Sequence, residues 1–115
     1  MEVVGYTIDA WRDWMNECGV CHEGADYIPD DYVCIGASFD DIHMQRKEKN
    51  DKFLDAVDES YGEVVYQSSL GERLIRYDLG KYGEIFYYEN ERLRKDLHGD
   101  SLIFSNKRNY NKLYK

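Results

Sequence analysis

The chain has 115 residues, 43% hydrophobic and 33% charged, with one proline. That supplies one domain with a real core, and it argues against a long disordered linker. No apolar run approaches the roughly 20 residues that span a bilayer, and the start Met-Glu-Val-Val-Gly-Tyr lacks a secretory pattern, so the expectation is a cytoplasmic protein without a membrane partner. Three cysteines, an odd number, suit reduced thiols better than a disulfide framework.

The net charge of −8 is unevenly spread: residues 1–41 hold ten acids against one base, Arg12, whereas the last ten residues hold Lys107, Arg108, Lys112 and Lys115 and no acid. Such an acidic third repels nucleic acid and membrane surfaces and attracts basic partners.

In chain order, Thr7 precedes a helical stripe of Ile8, Trp11, Met15 and Cys18, with Gly19 as the stop. Residues 19–31 read as a loop and 32–37 as a short buried strand. Ser38, with Asp41 three residues on, opens a helix, and residues 39–61 form either one helix or two. Strands follow at 63–67, 72–79 and 85–88, the last two folded about Gly80-Lys81-Tyr82-Gly83. Asn90 is positioned to cap a short helix through Leu93 and Leu97, and 101–104 is a last strand. The pattern predicts a single α+β domain over 1–104, with a mainly antiparallel sheet of 4–5 strands and 2–3 helices. Residues 105–115 read as a basic, partly flexible tail that docks weakly or orders on a partner.

The cysteines suggest three chemistries. Cys18-x2-Cys21-His22 has the spacing of covalent haem attachment, but that needs export, and Met44 is poorly placed as a distal ligand. Cys18, Cys21, Cys34 and His43 offer zinc a thiolate–imidazole set, although the second half is not a tight pair. A dithiol redox role is opposed by the helix C-terminus and by Glu17 and Glu23, which disfavour a thiolate. Three buried or idle thiols, with no cofactor, are the simpler expectation. Paired carboxylates are plentiful, and no constellation in the sequence calls for catalysis.

The tyrosines and tryptophans embedded in the acidic third suit protein contact, because aromatic side chains give large contact areas with few rotors to freeze. The candidate contact residues are Trp11, Trp14, Asp26, Tyr27, Asp30 and Asp31, with Phe86 and Tyr88 on the outer face of the hairpin. In size and composition, though in no motif, the chain resembles the small acidic, tyrosine-rich proteins by which phages inhibit host enzymes or defence systems. That resemblance implies an inhibitor that occupies a basic or nucleic-acid-handling protein and does not itself bind nucleic acid. The alternatives are a zinc-stabilised module and a homo-oligomer joined through Phe86 and Tyr88. Reversing Asp26, Asp30 and Asp31 to lysine is expected to weaken partner binding without loss of stability.

Overall fold

The hairpin that dominates the sequence lies within a five-stranded antiparallel sheet. The computed structural model describes residues 4–45, 52–92 and 101–114. Helix α1 (Ile8–Glu17) leads through a 3₁₀ turn (Glu23–Tyr27) to strand β1 (Val33–Gly36), then to α2 (Phe39–Gln45) and α3 (Lys52–Glu59). Strands β2 (Gly62–Gln67), β3 (Glu72–Asp78), β4 (Glu84–Asn90) and β5 (Ser101–Ser105) follow, and α4 (Lys107–Tyr114) closes the described chain. The strand order is β1-β5-β4-β3-β2. The fold is α+β, as predicted, with four helices among the described residues rather than two or three.

Local chemistry sets the boundaries. The Thr7 hydroxyl accepts from the Ala10 N–H at 3.1 Å and starts α1, and the Ser38 hydroxyl does the same for Asp41 ahead of α2. Gly80 and Gly83 both take positive φ, which lets the chain turn sharply between β3 and β4.

Strand alternation gives the sheet two apolar faces, and both are covered. Leu74, Phe86, Tyr88, Leu102 and Phe104 pack beneath Ile8, Trp11 and Met15 of α1 and beneath Val20, Ala25 and Ile28 of the following loop. Val33, Ile35, Ile85 and Ile103 pack on the opposite face against Ile42, Phe53, Leu54, Val57 and Leu113 of α2, α3 and α4. Phe86 and Tyr88 are therefore core residues, and the expected outer face for a homo-oligomer does not exist.

The basic tail also differs from expectation. Residues 107–114 form a helix whose Asn109 and Leu113 are buried, and the Tyr114 hydroxyl donates to the Ile35 carbonyl at 2.5 Å. Asn90 ends β4, and its side-chain oxygen accepts from the Arg92 N–H at 2.9 Å. The expected helix through Leu93 and Leu97, and the join between α2 and α3, lie outside the described residues.

Candidate interaction surface

The loop after α1 is tied to the sheet by a buried carboxylate. Glu72, at the start of β3, is only 1% exposed. It accepts from the Gly24 N–H at 2.9 Å and from the Tyr88 hydroxyl in a very short hydrogen bond. The Asn90 amide donates to the Tyr88 oxygen at 3.0 Å and to the Cys21 carbonyl at 2.7 Å. Burial, followed by the carboxylate contact, raises the Tyr88 pKa, so the phenol stays a donor. Gly24 has no room for a side chain, since a Cβ would meet Tyr66 at 3.0 Å and the Glu72 carboxyl carbon at 3.1 Å.

Arg12 braces the same loop from α1. Its guanidinium donates to the Ala25 carbonyl at 2.8 and 3.2 Å, to the Ile28 carbonyl at 2.6 Å and to Asp30 at 2.5 Å, and it lies 3.4 Å from Asp26. The only base of the acidic third is thus turned inward. The nine described acids of residues 1–41 are all exposed.

The two edges of the sheet differ. At β1 the chain near Gly5–Thr7 runs alongside: the Gly5 N–H donates to the Cys34 carbonyl at 2.8 Å and the Cys34 N–H to the Tyr6 carbonyl at 2.7 Å. At β2 no strand among the described residues pairs with the outer edge. Five large apolar or aromatic side chains are exposed among the described residues, and four of them lie along β2 or at its ends, Val64 on the face of Ile75 and Tyr87, and Tyr27 on the opposite face. Tyr61 (92% exposed) precedes β2, Val64 (50%) lies within it and Leu70 sits in the turn that follows. Tyr27 (59%) packs against Tyr66 of β2 with ring centroids 5.3 Å apart. The Tyr66 hydroxyl donates to Glu23 at 2.9 Å, and that bond pushes its pKa up to about 12.

The free edge is guarded against pairing with itself. Its register shifts between Val64 and Tyr66, so the side-chain alternation breaks there. A self-pairing confined to the regular part brings Glu63 against its counterpart, two like charges across a ladder. The side chains exposed along this edge are Tyr27, Tyr61, Val64 and Leu70, and Glu23, Asp26, Glu59 and Glu63, close to them in the chain, are exposed as well. Arg76 is neutralised by Glu84 and lies 3.7 Å from Glu63.

The residues proposed from sequence separate into several groups. Tyr27 is on this surface. Asp31 is exposed. Asp26 and Asp30 are exposed but hold Arg12, so the expectation that their reversal leaves stability unchanged does not fit. Trp11 is buried and stacked on half-buried Trp14 at 4.8 Å, so Trp11, like Phe86 and Tyr88, packs in the core and offers nothing to a partner. The proposed zinc ligands do not converge. Cys18 is exposed, and Cys34 is buried in the core under α1, its thiol pushed up to about 12 by burial. His43 contacts Asp58 of α3 at 3.0 Å, in the layer on the other face of the sheet. Among the described residues no three His, Cys, Asp or Glu side chains are arranged to hold a metal ion. His22 of the haem-like string lies 2.5 Å from the Asn16 side-chain oxygen.

Sequence reasoning missed Tyr61, Val64 and Leu70, because which strand forms an edge depends on pairings far along the chain. Glu72 left a signal, since alternation places it on the same side as Leu74. No protein family, curated protein or solved structure matches the chain. No helix among the described residues is long and apolar enough to cross a membrane.

Proposed function

We propose that this chain is a protein-binding protein, without catalysis of its own, that acts by occupying a surface of a basic partner. The observation that carries this reading is the row of four exposed apolar or aromatic side chains along β2, the sheet edge that pairs with no strand among the described residues, with exposed carboxylates beside them. Protein interfaces combine an apolar, aromatic centre with a polar rim in this way. The acidic rim favours encounter with cationic surfaces and disfavours nucleic acid. Inhibition of a nucleic-acid-handling or defence protein is the corresponding biological role, in line with the small acidic phage inhibitors that the chain resembles in size and composition.

The test is affinity capture with quantitative mass spectrometry, using the native chain, a Tyr61→Lys/Val64→Lys variant and a Lys107→Ala control on the far side of the sheet. A partner retained by the native chain and the control, and lost by the edge variant, supports the reading. Equal capture by all three contradicts it.

A further inference from the structure

The molecule carries a second charged feature, on the side of the sheet away from α1. Lys81, Tyr82, Lys107 and Arg108 line a cleft of about 340 Å³ in which Asp31 is the one carboxylate. Lys112 lies 4.7 Å from the centre of the Tyr82 ring and Lys81 lies 5.2 Å from it, so the ring is shared by two ammonium groups. None of these four cations forms an ion pair among the described residues. Four cations without an ion pair among the described residues, with Asp31 beside them, form a local reversal of field on a chain of net charge −8.

The complement of this corner is on the chain itself. Asp9, Asp13 and Glu17 recur at four-residue intervals on α1 and are all exposed, so they form one stripe with a spacing of roughly 6 Å. Asp13 and Glu17 have no ion pair among the described residues, and Asp9 only approaches Arg12 at 3.9 Å. Arg108 and Lys112 have the same four-residue interval on α4. Like spacing and opposite sign make the two helix faces complementary.

We infer that the chain associates with a second copy of itself head to tail, the α4 stripe of one molecule lying along the α1 stripe of the next. Because α1 and α4 cover opposite faces of the sheet, the contact is heterologous, and each molecule keeps one unused half of it. The surface at β2 takes no part, so this inference stands apart from the partner-binding reading. The contact is electrostatic between exposed groups, and salt weakens it.

Two charge-reversed variants test it by sedimentation. Asp13→Lys/Glu17→Lys loses the acidic half, and Arg108→Glu/Lys112→Glu loses the basic half. The native chain is expected to sediment above its 13.6 kDa monomer at low salt and as the monomer in about 0.5 M salt. Each variant alone is expected to stay monomeric. Their equimolar mixture should associate again and grow as the native chain does, because the two unaltered stripes and the two reversed stripes are each complementary across the variants. Circular dichroism and thermal melting establish that each variant is folded. If a reversal disturbs the fold, the neutral pair Asp13→Asn/Glu17→Gln should also abolish association. A native chain that stays monomeric at low salt, association that survives high salt, or a mixture that does not associate would each overturn the inference.

Discussion

A buried carboxylate normally costs several kcal/mol, and Glu72 is kept inside by the Gly24 N–H and the Tyr88 hydroxyl. Removing it strands both donors and unpins the loop that carries Glu23 and Tyr27. Glu72→Ala should lower stability by about 3 kcal/mol, and Glu72→Gln by about half that, since the amide oxygen can still accept one bond. Urea unfolding checks this, and a cost no larger than that of exposed Glu63→Ala would contradict it. Arg12 acts at the same scale. Because Asp26 and Asp30 hold its guanidinium against the Ala25 and Ile28 carbonyls, their joint reversal to lysine should lower stability by about 1–2 kcal/mol, visible as a lower Tm. The sequence identified these acids and Arg12, but nothing local to either shows that the loop folds back and brings them together.

Among the elements, α1, β1, α2 and the β3–β4 hairpin were legible because caps, turn glycines and periodicity agree locally. Three features were not. The Phe86 and Tyr88 side of β4 reads as an available face, since alternation shows that a strand has two sides and not what covers them. The edge status of β2 follows from the strand order. The short stripe of Tyr110, Leu113 and Tyr114 is obscured by basic neighbours, although its spacing is helical. In the structure this segment completes the core beneath Ile35 and Ile103. Leu113→Ala should therefore cost about 2–4 kcal/mol in chemical denaturation, as for a core leucine. A cost near zero would return the segment to the status of a loose tail.

Across the whole molecule, charge and burial set the response to pH. The Cys34 thiol, the Tyr114 phenol and the Tyr66 phenol are all pushed up to about 12, the first two mainly by burial and the third mainly by its bond to Glu23. Each therefore holds its proton more tightly folded than unfolded. Their contribution to stability is present below the ordinary thiol and phenol values and is lost as pH rises through about 9 to 12. Alkaline unfolding should begin in that window, together with a rise in tyrosinate absorbance. Tyrosines that ionise freely while the fold persists would contradict this.

At the same scale, the acidic balance of the first third was plain from sequence. Its division between the exposed α1 stripe and the loop beside β2 was not, because that division depends on how the loop is pinned.

The central claim is that a partner is held at the β2 edge and the Glu23–Tyr27 turn. Amide hydrogen exchange, measured on the chain alone and with its captured partner, tests this most directly. The account predicts slowed exchange in Gly62–Gln67 and Glu23–Tyr27, with Lys107–Tyr114 unchanged. Protection confined to other elements, with the β2 edge as open as in the free chain, would contradict it.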